Sequence, residues 1–244
     1  MSAREASWGE AAAGAARVAG ATLAFALLHS ALASRPAKQK SAQLLGERRH
    51  AGLYRILYNG QTLLSLGALW SCARRQPDRE LYRVRGPLAG AMRAGQAAAL
   101  GYTAWAAVSA GMGELSGLRS LAVWLSGEDE VRPPPEGQGP APGEDGALRI
   151  TGPFRWSRHP LNFAPVPLLW LSPRMTTRLA AFNAVATCYF FLGSRHEEAR
   201  LEAEHGEQYR AYQRSGCPFY LPGLPPDNGG ERRKLPSHPD AERR

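Results

Sequence analysis

Residues 94–113 carry no charged side chain, and about 20 such residues in a helix match the thickness of a bilayer's hydrocarbon core. Three further regions read the same way. Residues 18–33, "VAGATLAFALLHSALA", extend backwards through alanines, and residues 56–72 are uncharged between Arg55 and Arg74. The last region is split into 161–173, the polar "RMTTR", and 179–194, which suits a hairpin of two short or tilted helices. The expectation is an all-α, multi-pass bundle of about five spans. A soluble bundle with alanine-rich core helices is the competing architecture.

The mean hydropathy of −0.34 would argue for a water-soluble protein. It averages two kinds of sequence, however, since arginine-rich loops offset the apolar runs. The net charge is +9, and all basic residues except Lys38, Lys40 and Lys234 are arginine. These arginines flank apolar segments rather than lining one element, which favours an anionic membrane face over nucleic acid. Cys72, Cys188 and Cys217 have neither C-x-x-C spacing nor the number for a disulfide framework.

The first apolar run follows Glu5 and Glu10 and precedes a basic loop, so it reads as a retained anchor. Arg35, Lys38, Lys40, Arg48, Arg49 and Arg55 follow this run, against Arg4 and Arg17 before it. Basic residues favour the cytoplasmic side, placing the N-terminus outside and the C-terminal half inside. Arg74, Arg75, Arg79, Arg83 and Arg85 oppose that orientation.

The chain divides into N-terminal apolar helices (1–125), a Pro/Gly-rich loop (126–149), a motif-bearing region (150–222) and a polar tail (223–244). The composition of 126–146 predicts a flexible loop with no packed element, and the tail reads as disordered. Residues 118–125 read as a short amphipathic helix at the interface.

Two stretches carry candidate chemistry. In "GPFRWSRHPLNF" (152–163), Gly152-Pro153 signals a turn and Pro160 suits a helix start. Arg158 and His159 then stand at a helix mouth, as an anion site or as a turn with a snorkelling arginine. In "GSRHEEARLEAEHGEQYRAYQ" (193–213), the last apolar helix runs on into water until Gly206. The spacing predicts ion pairs of Arg200 with Glu197 and Glu204 along one face. His196-Glu197 opens like a zinc motif, but Arg200 stands where the second histidine belongs. Glu197 and Glu198 point about 100° apart, which is no obvious acid–base pair. The hairpin brings both stretches to one membrane face. A cationic mouth beside acidic groups suits a ligand with a carboxylate, an amine and ribose hydroxyls, as in S-adenosylmethionine.

This C-terminal pattern runs from Gly-Pro-aromatic through Arg-His-Pro, paired Glu and Gly-x-x-Tyr-x-x-Tyr to a closing Pro. It resembles the isoprenylcysteine carboxyl methyltransferase-like superfamily over about residues 150–222. The N-terminal "LLHSALASRPAKQ" and "YRILYNGQTLLSL" resemble its NnrU and methanethiol S-methyltransferase branch. The resemblance implies a membrane methyltransferase that binds S-adenosylmethionine and admits an apolar or small thiol or carboxylate acceptor from the lipid side. It implies cofactor-binding roles for Arg158, His159, Pro160, Glu197, Glu198, Tyr209 and Tyr212, with no metal. Asn162 and Ala164 depart from the family's aromatic and glycine after Arg-His-Pro, which leaves open a non-enzymatic NnrU-like scaffold. A thiolate or carboxylate acceptor needs little acid–base help, so positioning and desolvation would supply the rate. His29, Asn59 and Gln61 lie inside apolar runs, where polar groups mark a site or a helix–helix hydrogen bond.

Overall fold

The computed structural model describes residues 6–128, 131, 135–143 and 146–225. Arg4 and residues 226–244 of the tail, on which two of the expectations above rest, lie outside the described residues. The chain is mostly helical, as expected, with one two-stranded ribbon added. In order come α1 (Trp8–Ala33), α2 (Arg35–Leu45), α3 (Glu47–Arg74), β1 (Glu80–Arg83), α4 (Gly86–Ser109), α5 (Met112–Ser116) and α6 (Leu118–Leu125). A 3-10 turn at Gly152–Arg155 then leads to α7 (Pro160–Phe163), α8 (Pro165–Trp170), β2 (Arg174–Thr176), α9 (Thr177–His205) and α10 (Glu207–Arg214).

Local chemistry sets the boundaries. A capping box of Ser7 and Glu10 opens α1, and the Ser34 hydroxyl accepts from Ala37 N–H to open α2. The Thr176 hydroxyl likewise accepts from Leu179 N–H to start α9. Gly206 ends α9 with a φ of 55°, a conformation that favours glycine.

The fourth apolar region differs from expectation in its first half. Pro165 has no N–H to donate and interrupts the helix, leaving four-residue α7 and six-residue α8. Ten helical residues rise only about 15 Å, half a bilayer core. The first three residues of the polar "RMTTR" form β2, which pairs antiparallel with β1, and the last two open α9. Among the described helices, α1 alone is both long and apolar enough to cross a membrane by length and composition. Asn59 and Gln61 dilute the apolar run of α3, and Gln96 and glycine dilute that of α4.

Burial is inverted relative to a water-soluble bundle. The buried positions of the long helices are mostly small, including Ala11, Gly14 and Ala26 of α1, Ala51 and Gly52 of α3, and Ala99 and Ala106 of α4. Their large apolar side chains face outwards: Leu27, Leu63, Leu64, Trp70 and Leu100 are all exposed. Small residues let the backbones approach closely. A Cβ added at Gly52 would fall within 2.5 Å of the Trp124 side chain, so α6 packs against α3 only because residue 52 is glycine.

The long helices connect two ends. At one, Arg178 pairs with Asp78 at 2.8 Å and the Arg79 guanidinium stacks on Trp8 at 4.3 Å, beside the β1–β2 ribbon. At the other, the last turn of α1, the start of α3, the Arg-His-Pro turn and the charged end of α9 meet. Arg200 donates to the Ala33 carbonyl there at 3.3 Å.

The Pro/Gly-rich segment corrects its expectation. Residues 135–143 lie against the motif end as a strap, although composition favoured an unpacked loop. Arg55 donates to the Pro135 carbonyl at 2.7 Å, and Lys38 pairs with Glu136 at 2.8 Å. Glu136 N–H donates to Glu204 Oε2 at 3.1 Å. Gly137 and Gly139 both sit on Leu201, where an added Cβ would come within 2.9 and 2.8 Å of its side chain. The glycines that suggested flexibility instead permit this close approach.

Candidate functional site

The site grows from two bends. Gly152, at φ 55°, passes so close to Ser109 and Trp105 of α4 that a Cβ would meet the Ser109 hydroxyl at 2.7 Å. The chain then turns through Ser157, whose hydroxyl donates to the Tyr220 carbonyl at 2.8 Å and accepts from His159 N–H at 3.1 Å. These bonds fix His159 as the residue before Pro160, pointing at α9.

His159 sits between the two adjacent glutamates. Its Nδ1 lies 3.2 Å from Glu197 Oε2 and its Nε2 3.3 Å from Glu198 Oε1. The 100° between neighbouring helical side chains, which argued against a carboxylate pair, places the carboxylates on opposite edges of one imidazole. Carboxylates only accept, so both ring nitrogens donate and the ring is an imidazolium. Burial alone would push the His159 pKa down, but hydrogen bonds and charge from Glu197 and Glu198 raise it above the usual histidine value.

Glu197 is only 4% exposed. It also accepts from Asn162 Nδ2 at 2.9 Å and from the backbone N–H of Gln138 in the strap. Burial pushes its pKa up, yet these donors and His159 take it below the ordinary value. Glu198 accepts from Arg158 Nε at 2.7 Å, Tyr209 Oη at 3.2 Å and Gln213 Nε2 at 3.2 Å. Burial again opposes, but His159 and Arg158 carry its pKa down to about 2.

Arg158, His159, Glu197, Glu198 and Tyr209 therefore form one hydrogen-bonded cluster. Pro160 starts α7, as its position suggested, and is buried. Tyr212 stands apart from the carboxylates: its hydroxyl donates to the Phe154 carbonyl and braces the turn. The sequence reading missed Gln138, Gln213 and Phe219, whose ring packs against His159 and under the Arg195 guanidinium. Asn162, read as a departure from the family, is a donor within the cluster, and Ala164 is fully buried.

The expected ion pairs along α9 do not form. Glu197 is turned to His159, and Glu204 is 3.1 Å from Glu136 N and 3.8 Å from His205. Arg200 has no carboxylate partner among the described residues, and its buried Nε has no hydrogen bond. For an S-adenosylmethionine molecule, the donor set fits: carboxylates suit an amine and ribose hydroxyls, and guanidiniums suit a carboxylate.

Three curated relatives bear on the chain. It is 32% identical over 92 residues to the methanethiol S-methyltransferase of Pseudomonas deceptionensis, covering 38% of this chain and 35% of that protein. It is 39% identical over 61 residues to the enzyme of that name from Mycobacterium tuberculosis, a quarter of each chain. It is 35% identical over 69 residues to that of Crocosphaera subtropica, covering 28% and 27%. No family model and no solved structure matches. The match spans about a third or less of each relative's length. The chain is thus related in sequence to the methanethiol S-methyltransferases, the branch of the isoprenylcysteine carboxyl methyltransferase-like superfamily that its motifs resemble.

Proposed function

We propose that this chain is a multi-pass membrane methyltransferase that uses S-adenosylmethionine and methylates a small thiol. The carrying observation is the buried cluster of Arg158, His159, Glu197, Glu198 and Tyr209, built by the motif residues themselves. The outward-facing leucines of α1, α3 and α4 support burial of the bundle in a bilayer. The short α7–α8 pair fits a re-entrant segment at the end facing the cytoplasm.

S-adenosylmethionine would supply the methyl group as a sulfonium. Glu197 and Glu198 would accept from its amine and ribose hydroxyls, while Arg158 and His159 hold those carboxylates ionised and oriented. Pro160 and Tyr212 would act from behind, by fixing the turn. The strap over Glu197 would exclude water, so that orientation and desolvation contribute to the rate of the methyl-transfer step.

A non-enzymatic scaffold is the second reading. It is favoured by Asn162, which occupies Glu197 Oε2, and by the buried methyl of Ala164. Titration calorimetry of the detergent-solubilised protein with S-adenosylmethionine separates the two. Saturable binding followed by methylation in a screen of small thiols supports the enzyme, whereas no heat of binding leaves the scaffold.

A further inference from the structure

His29 and Tyr58, remote in sequence from the motif cluster, form a second polar site between α1, α3 and α9. Tyr58 Oη and His29 Nε2 are 2.5 Å apart, and His29 Nδ1 is 3.1 Å from Thr62 Oγ1. The Thr62 hydroxyl donates its single proton to the Tyr58 carbonyl at 2.8 Å. It can therefore only accept from His29, which fixes Nδ1 as protonated and leaves Nε2 as the acceptor of the Tyr58 proton. Tyr58 oxygen is left with lone pairs that accept no hydrogen bond among the described residues.

The surroundings suit an anion. Tyr189 from α9 packs edge-on to His29 at 6.2 Å between ring centroids, and its oxygen accepts from Ser30 at 3.1 Å. Its own proton remains available. The charged groups acting on His29 and Tyr58 are Arg55 of α3 and Arg200 of α9, and Glu197 also acts on Tyr189. Neither has a carboxylate ion pair among the described residues: Arg55 donates to the Pro135 carbonyl, and Arg200 weakly to the Ala33 carbonyl. Glu136 and Glu197 act on Arg55, and Arg200 on Glu197, from beyond ion-pair distance, and half-buried guanidiniums without a close anion are costly. A ligand carrying negative charge would relieve that cost. Along α9, Tyr189 and Glu197 are eight residues apart, about 12 Å, a separation that one extended cofactor spans.

We propose that Tyr58 and His29 are the catalytic base that deprotonates a small thiol acceptor, with Arg55 and Arg200 facing the resulting thiolate. This rests on the methyltransferase reading above. The thiol S–H bond breaks as its proton passes to Tyr58 Oη, and the Tyr58 proton passes to His29 Nε2, giving an imidazolium. The thiolate lone pair forms a new C–S bond to the sulfonium methyl. The old C–S bond breaks with its electron pair returning to the donor sulfur, leaving two neutral thioethers. His29 later gives its proton to solvent.

The test compares ethanethiol, largely protonated at neutral pH, with 4-nitrothiophenol, largely ionised there. With Tyr58→Phe, kcat/KM for ethanethiol falls about 10²–10⁴-fold, the ordinary worth of a positioned base. Turnover of 4-nitrothiophenol changes little, and the ethanethiol rate of the variant recovers as rising pH ionises the thiol. His29→Gln, which retains a hydrogen-bonding side chain, shows the same discrimination. Calorimetric affinity for S-adenosylmethionine stays at the wild-type value in both. Equal losses with both thiols, or none, would overturn the base and leave His29–Tyr58 as a helix–helix contact. So would a wild type that binds the cofactor yet methylates neither thiol. A wild type that binds no S-adenosylmethionine instead removes the methyltransferase reading itself.

Discussion

His159 Nδ1 lies 3.2 Å from Glu197 Oε2, and the two side chains are 1% and 5% exposed. A buried carboxylate is tolerated only with donors around it, and here His159, Asn162 and the Gln138 N–H supply them. Removing the imidazole strands the charge. His159→Ala should therefore destabilise the protein by about 3–5 kcal/mol. Glu197→Gln, which removes the charge but keeps the shape, should cost clearly less. Thermal unfolding in detergent ranks the two, and the reverse order would mean that the pair is not buried in the folded protein.

The same cluster sets a pH window. The Glu198 pKa is depressed to about 2 from 4.5, so its stabilisation is full above 4.5 and disappears as pH falls through about 2. The His159 pKa is raised above 6.5, so its contribution is full below 6.5 and is lost as pH rises through the folded value. The cluster should hold most firmly between about pH 4.5 and 6.5. Denaturant midpoints across pH should decline on both sides of that interval for the wild type. The alkaline decline should be missing in His159→Gln.

The strap makes a steric prediction. A Cβ at residue 137 would lie 2.9 Å from a Leu201 methyl and 3.1 Å from Glu197 Cγ. Gly137→Val should lift residues 135–143 from α9 at a cost of about 1–3 kcal/mol. Limited proteolysis should cut the variant faster in this segment. Cleavage at the wild-type rate would mean that the strap does not rest on α9.

The inverted burial predicts behaviour in extraction. Leu27, Leu63, Leu64 and Leu100 are exposed, and on the proposed membrane reading they face hydrocarbon, so the protein should stay in the membrane pellet through high-salt washing and dissolve only in detergent. Release by salt would show a peripheral protein held by its arginines. In the intact membrane, Ser41→Cys should be labelled from the cytoplasmic side, and labelling from outside alone would invert the orientation.

Much of the site was legible because its parts are short and local. Pro160 starts a helix, Gly206 ends one, and a hairpin brings residues 158–159 and 197–198 together. The use of Arg200 was not legible, since i,i+4 spacing from Glu204 says nothing of a strap arriving from 68 residues upstream to take that carboxylate. Residues 135–143 were misread for a related reason. Glycine and proline report conformational freedom, whereas close packing on Leu201 depends on a surface elsewhere in the sequence. Likewise His29 and Tyr58 each read as isolated polar residues, and only the α1–α3 crossing joins them.

Arg158 and Glu198 offer the sharpest test of the cofactor reading. Their bond of 2.7 Å is half-buried, and Glu198 also takes Tyr209 and Gln213. Glu198→Ala would strand Arg158 and so confuse folding with binding. Glu198→Gln keeps the volume and some hydrogen bonding while removing the charge. If this carboxylate receives the cofactor's amine, the variant should bind S-adenosylmethionine about 10- to 150-fold more weakly, the worth of a hydrogen bond to a charged group. Arg158→Gln should weaken binding too. The double variant should lose less than the sum of the singles, because both act through one ligand contact. Glu202, which pairs instead with Arg210 at 2.7 Å on the solvent side, is the control, and Glu202→Ala should bind like wild type. Wild-type affinity in Glu198→Gln would mean that the cluster only locks the Arg-His-Pro turn to α9.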